Sequence, residues 1–303
     1  MPWRNKIKTK GKIGISLLFM MIIFVSSGLV YTNEIQAAKK VDLQLEQSLQ
    51  TLSFFSEPVP VFSDSALSQS IIEEEMKKIE AAREEEIAKQ HKLDRQEHVI
   101  YLTFDDGPSP VSEQLLDILN DFNMKATFFM MGPKMKDNPE IVKRKQEEGH
   151  GLALHGMTHD VGQVYADQYA PSEEMIEGQE ILESITGIRT EVIRLPYGSV
   201  PYLTEPMRYV LDQNGFKVWD WNVDSLDWKF NNSKYVQHTI QEIENAEKAG
   251  EAPIILLHDR EETVKHLPKL LSYIKKQGYQ TKILTNDMEP YTFSCNGNCR
   301  TIH

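Results

Sequence analysis

The 303-residue chain has only two cysteines, Cys295 and Cys299, both near its end. A disulfide framework holding a core is therefore excluded. In an oxidising compartment the pair can close only a small loop around Asn296-Gly297-Asn298. Two thiolates are half a structural zinc site, and their spacing is not the redox Cys-x-x-Cys. A basic excess is also missing: 33 Lys and Arg stand against 45 Asp and Glu, a net charge of −12. Nucleic acid is bound through basic patches, so no nucleic-acid partner is expected. The chain has no internal repeat and no glycine loop of the kind that cradles phosphate. Long apolar runs are absent apart from one, Ile13 to Tyr31.

That run has no charged residue and follows Arg4, Lys6, Lys8, Lys10 and Lys12. A basic stretch and then an apolar one is the layout of an export signal, and the length suffices to cross a bilayer. Ile35-Gln36-Ala37, followed by Ala38, offers a cleavage site. The segment therefore reads either as a cleaved signal or as a retained membrane anchor. Either way the rest of the chain is expected outside the cytoplasm, on the outer face of the cell membrane or secreted to the cell wall.

Residues 39–97 read as a stalk and a charged helical spacer. Glu73 to Lys89 carries seven Glu and four basic residues. Ile72, Met76, Ile79, Ala82 and Ile87 recur there at near-helical spacing. Glu73 with Lys77, and Glu85 with Lys89, are favourable i,i+4 pairs. The compact domain is expected over 98–288, with 289–303 as a tail.

Within that domain short apolar runs alternate with helical patterns. Strands are expected at Val99 to Phe104, Ala126 to Met131, Gly151 to His155, Val192 to Arg194, Phe216 to Val223, Pro253 to Leu257 and Gln280 to Leu284. Helices are expected at Val111 to Phe122, Pro139 to Glu148, Ser172 to Thr186, Thr204 to Asn214, Ser233 to Ala249 and Val264 to Gln277. Such alternation means parallel strands joined by right-handed crossovers. The fold class is α/β: a distorted or incomplete (β/α) barrel of about seven parallel strands, with its site at their carboxyl ends.

Asp105, Asp106, His155, Arg194, Asp224 and His258 all fall at or just past a predicted strand end. Adjacent carboxylates repel unless a cation, an arginine or a shared proton holds them together. Asp106, His155 and His159 make a facial set for a divalent ion. Two His and one Asp tolerate zinc first, and cobalt, manganese or nickel as well. Trp219 and Trp221 alternate with Asp220 and Asn222 and read as strand core.

Five motifs then appear in order: Thr103-Phe104-Asp105-Asp106-Gly107-Pro108, His155-Gly156-Met157-Thr158-His159, Arg194-Leu195-Pro196-Tyr197-Gly198, Asp224-Ser225-Leu226-Asp227-Trp228 and Leu256-Leu257-His258. With them the chain resembles the polysaccharide deacetylases of the NodB-homology type, carbohydrate esterase family 4, over about Val99 to Leu284. The resemblance implies hydrolysis of the N-acetyl group of N-acetylglucosamine in an extracellular polysaccharide, most naturally peptidoglycan, with chitin-like oligomers as the near alternative. It implies Asp106, His155 and His159 as metal ligands and Asp105 as general base, paired with Arg194. His258 would be the general acid, its ring held by Asp227. The Tyr197 N–H would serve the oxyanion. Leu256 and Trp228 would wall a slot for the acetyl methyl, with Trp228 also able to stack on a sugar face. The Asp-x-x-Asp-Trp form points to glucosamine rather than muramic acid units. Gly156 departs from the pattern, which has Ser or Thr there. Loss of that hydroxyl is expected to loosen the loop carrying the two histidines and would favour a second reading, a catalytically weak glycan-binding protein. Leu195, where Pro is common, only relaxes the turn.

Overall fold

In the computed structural model, residues 65–293 are described. The N-terminal run at 13–31, the cleavage site and the Cys295–Cys299 pair lie outside them. Among the described residues no helix is long and apolar enough to cross a membrane.

The central strand, β1 (Val99–Gly107), is VIYLTFDDG and is buried on both faces. Such a strand needs neighbours on both sides, and it has them. It pairs in parallel with β2 (Thr127–Met130) from Thr103 onward and with β7 (Ile254–His258) from Tyr101 onward. β3 (Gly151–Leu154), β4 (Val192–Ile193) and β5 (Lys217–Val218) continue beyond β2, and β6 (Val223–Asp224) follows β7. β8 (Gln280–Lys282) pairs with the first three residues of β1. Every pairing is parallel. The sheet runs β5-β4-β3-β2-β1-β7-β6 and does not close between β5 and β6. This is the incomplete barrel that the strand–helix alternation predicts.

The expected strand over Phe216 to Val223 is two strands instead, broken at residues 219–222. There the backbone turns away from a ladder. The Trp219 and Asp220 carbonyls accept from the Arg194 side chain, and the Asp220 N–H donates to the Tyr291 carbonyl.

Period-two alternation sorts β1 into an outer and an inner face. Ile100, Leu102 and Phe104 join Phe128, Leu154, Ile193, Ile255 and Leu257 in the core under the helices. The inner face carries Val99 and Tyr101 with Phe129, Ala153, Trp219 and Ile254 at its lower end. Thr103 and then Asp105 follow on that face toward the top.

The helices in chain order are α1 (Ser65–Gln96), α2 (Ser112–Phe122), α3 (Gly132–Asp137), α4 (Pro139–Glu147), α5 (Val161–Val164), α6 (Ala170–Thr186), α7 (Glu205–Gln213), α8 (Asp227–Phe230), α9 (Lys234–Ala249) and α10 (Glu261–Gln277). α2 shows why they cover the sheet. Leu115, Leu116 and Leu119 recur on one face and are buried, and Asn123 ends the helix in the left-handed conformation that Asn tolerates.

Segments on both sides of the sheet pack against it. The last turns of α1 are docked rather than solvated: Asp94 is buried and accepts hydrogen bonds from the Tyr101 hydroxyl at 2.8 Å and the Gln90 amide at 2.9 Å. At the other end, Tyr291 packs on the inner-face cluster and Pro290 is buried. This packing continues to Phe293, whose N–H donates to Asp220 Oδ2 and whose ring meets Trp221 edge-on, between β5 and β6.

Candidate active site

Strand register sets the geometry. Asp105 on β1 is the Cα partner of His258 on β7, and Leu154 on β3 pairs with Ile193 on β4. His155 and Arg194 are the next residues along β3 and β4, so both arrive at the same rim. In a regular strand Asp105 and Asp106 would point to opposite faces. The register shifts between Asp105 and Gly107, and Asp106 takes φ 70°. This bulge turns the second carboxylate back to the cleft. Asp is among the few residues that take this conformation readily.

Arg194 is fully buried, and each of its three nitrogens donates a hydrogen bond. Nη1 donates to Asp105 Oδ1 at 2.9 Å and Thr103 Oγ1 at 2.7 Å, Nη2 to the Asp220 carbonyl, and Nε to the Trp219 carbonyl. Its guanidinium lies 4.1 Å from the Phe129 ring centre. A fork with this many fixed partners locks Asp105 in place.

His155 Nδ1 donates to the Arg194 carbonyl at 2.8 Å, which leaves Nε2 facing the cleft with its lone pair. That nitrogen is 3.5 Å from Asp106 Oδ1, and His159 Nε2 is 3.4 Å from the same oxygen. Burial pushes the His155 imidazole below its ordinary value against the pull of Asp105 and Asp106, and a neutral ring is what a ligand requires. For Asp106, burial raises the carboxyl, but His155, His258, His159 and Lys134 outweigh it and hold it low. All three ligand atoms lie within 4.8 Å of one another. Tetrahedral ligands at about 2.0–2.1 Å from a metal stand about 3.3 Å apart, so the trio fits a small divalent cation after minor adjustment.

On the neighbouring strand, His258 Nδ1 donates to Asp227 Oδ1 at 2.7 Å. Asp227 also accepts from the His258 N–H, the Trp228 N–H and the Thr263 hydroxyl. Burial alone would lower the His258 imidazole. The Asp227 bond and charge, helped by Asp105 and Asp106, reverse this and raise it to about 9. Asp227 is correspondingly held below the ordinary carboxyl range, despite the opposing effect of its burial.

The cleft between these groups measures about 570 Å³ and is lined by all of the predicted ligands, by Asp105 and His258, and by Tyr197, Trp228 and Leu256. Arg194 and Asp227 stand behind them. Tyr197 and Trp228 are about half exposed at the rim.

Sequence reasoning misplaced Trp221, which lines the cleft beside Leu195, whereas Trp219 is core as expected. It missed Asp259, which follows His258 and is buried. Asp259 accepts from the Ser109 and Ser112 hydroxyls and pairs with the fully buried Lys145 at 3.4 Å, clamping the β1 and β7 ends together. It missed Lys134, whose ammonium donates to the Asp106 carbonyl. It also missed Glu174, which braces the histidine loop. None of these has a sequence pattern that would flag it.

Residues 92–219 match the polysaccharide deacetylase family. A Bacillus subtilis (strain 168) chain bearing the same family description, YheN, is 43% identical over 203 residues, 66% of this chain and 72% of its own length. A peptidoglycan-N-acetylglucosamine deacetylase of Bacillus cereus is 39% identical over 192 residues, 61% of this chain and 69% of that one. The crystal structure of a Bacillus cereus polysaccharide deacetylase superposes with a TM-score of 0.58 at 36% identity, covering 66% of this chain and 98% of the other. On this similarity, and with the five motifs gathered at one rim of the folded sheet, this chain belongs to the polysaccharide deacetylase family.

Proposed function

We propose that this protein removes acetyl groups from N-acetylglucosamine units of peptidoglycan, outside the cytoplasm, with one divalent cation held by Asp106, His155 and His159. The observation that carries the reading is that the Asp105 carboxylate and the His258 imidazole, in register on adjacent strands, line one cleft with a three-ligand cluster.

A cation there supplies a Lewis acid and makes water more acidic. The remaining work falls to the chain. Asp105 uses Oδ1 to meet Arg194, leaving Oδ2 to accept the proton of the attacking water. As the water oxygen bonds to the acetyl carbon and the C–N bond breaks, His258 gives its Nε2 proton to the leaving amine, and acetate and a glucosamine unit still linked in the glycan remain. Asp227 keeps that proton on the ring up to mildly alkaline pH. Among the described residues the Tyr197 N–H has no hydrogen-bond acceptor, which suits it to the developing oxyanion. Leu256 and Trp228 form the apolar wall for the methyl group. The relatives named for peptidoglycan support the substrate, and the N-terminal basic-apolar segment at 1–38 supports the location. The weak-binder reading drew on Gly156 alone, and the bracing of that loop by Glu174 removes its motive.

The test is acetate release by the purified protein from peptidoglycan, from peptidoglycan lacking N-acetylglucosamine acetyl groups, and from chitin oligomers, with zinc or cobalt added or chelated. Release from the first substrate that stops on chelation is expected. Release no greater than that of Asp105→Asn, or full activity after exhaustive chelation, ends the reading. Protease treatment of intact cells tests the location: a chain that survives while outer-face proteins are digested lies inside.

A further inference from the structure

Gly156 sits between the two histidines with φ 89°, and a Cβ built on it would lie 2.7 Å from Glu174 Oε2. The space that a side chain would occupy is filled by a carboxylate from α6. That carboxylate is fully engaged with the histidine loop. Oε2 accepts from the Met157 N–H at 2.8 Å and the Thr158 N–H at 3.2 Å, and Oε1 accepts from the Thr158 hydroxyl at 2.5 Å. Three donors of one five-residue loop thus converge on a single side chain from an element outside it. The Thr158 hydroxyl also accepts weakly from the Asp160 N–H, just beyond His159.

We infer that Glu174 is a positioning residue for the ligand set: it holds the His155–His159 loop in the shape that lets both imidazoles face Asp106, in place of a side chain at position 156. The inference rests on the metal-binding reading above. His155 is the end of a strand and is tied through its ring, but His159 has a left-handed backbone at φ 52° and a half-exposed neighbourhood. Between the two ligands Met157 packs against the core, the Gly132 N–H meets the Gly156 carbonyl and the Tyr197 hydroxyl meets the His159 carbonyl, while the Glu174 bonds are the ones that fix the Met157 and Thr158 N–H groups. Charge-assisted bonds from a carboxylate to backbone N–H groups are the stronger kind, and groups that orient ligands commonly govern metal affinity by about 10–100-fold.

Zinc affinity of the full chain, measured by chelator competition at a temperature where every variant is folded, tests this, with the cobalt absorption spectrum as a second readout. Glu174→Ala is expected to bind zinc at least about tenfold more weakly and to show a changed cobalt spectrum. Glu174→Gln keeps an oxygen for both backbone N–H groups and is expected within about threefold of the natural protein. Unchanged affinity in Glu174→Ala, or equal losses in both variants, overturns the inference. If Glu174→Ala does not fold, Thr158→Val must still weaken zinc about threefold while Thr158→Ser does not, and failure of that contrast overturns it too. Should the natural protein bind no zinc or cobalt at all, the metal-binding reading itself fails, a result distinct from either of these.

Discussion

The two flanks of the cleft are built by different means. The proton-handling flank, Asp105 with Arg194 and His258 with Asp227, stands in register on the adjacent central strands β1 and β7. It is locked by buried ion pairs to residues far away in sequence. The ligand flank stands on residues with left-handed backbone: Asp106 at φ 70°, Gly156 at 89° and His159 at 52°, with Tyr197 at 69° beside them. One flank is fixed by the global fold and the other by local conformation and the bonds that restrain it. Damage to the first should therefore appear in rate and stability, and damage to the second in metal affinity.

The largest effect expected is that of Asp105→Asn. Its amide oxygen still meets Arg194, so the fold survives, but the base is gone and acetate release should fall by about 10³ or more. Zinc affinity should stay within a few-fold. A hundredfold loss of zinc affinity would make Asp105 a ligand and erase the distinction between the flanks.

Next is Arg194→Met. It leaves Asp105 buried without its partner and strands the Trp219 and Asp220 carbonyls. Loss of about 3–5 kcal/mol is expected, read as a lower denaturation midpoint, because an uncompensated buried charge remains. A variant as stable as the natural chain would show that strand register alone holds this flank.

Asp227→Asn comes third, and its effect has a sign. His258 is raised to about 9 in the folded protein, so the protonated acid is lost as pH rises through that region. The matching stability is fully present below the unfolded value near 6.5 and disappears as pH climbs toward 9. A bound cation offsets Asp106, so the alkaline limb of the loaded enzyme lies somewhat lower. Without the Asp227 charge, burial is opposed only by Asp105 and Asp106, and the imidazole falls. The alkaline limb should move down by two pH units or more, costing about 10² in rate at pH 8. A limb that stays in place would assign it to another group.

The same contrast explains what the sequence made legible. The strands of the central sheet are short apolar runs between helices, and Asp105, Asp106, His155, Arg194 and His258 lie at or just past the ends of such runs, so the barrel and both flanks could be read in outline. What could not be read is local or long-range. The helices Gly132–Asp137, Val161–Val164 and Asp227–Phe230 are too short to show a period. The alternation of Trp219 and Trp221 with polar neighbours mimics a strand, while the Arg194 fork takes the carbonyls a ladder would use. The Asp106 bulge depends on a dihedral, not on composition. Glu174, and Asp259 with Lys145, find partners in other elements and carry no periodic mark. Gly156 showed the converse: read alone it promised a loosened loop, yet the bracing carboxylate stands 18 positions downstream.

The smallest effect expected is that of Tyr197→Phe, and it bears most directly on how the ligand flank is held. The Tyr197 hydroxyl donates to the His159 carbonyl at 2.9 Å, and its ring stands edge-on to the His159 imidazole with centres 4.7 Å apart. The variant keeps the ring and the backbone N–H and removes only the hydroxyl. A half-exposed neutral hydrogen bond contributes about 0.5–1.5 kcal/mol, and the exposed carbonyl can turn to water. Zinc affinity should therefore fall by no more than a few-fold, with the pH profile unchanged because His258 and Asp227 are untouched. A loss as large as that of Glu174→Ala would mean that His159 is held from the cleft side, by its carbonyl, as much as from α6. A displaced pH limb would mean that the two flanks are coupled through the cleft.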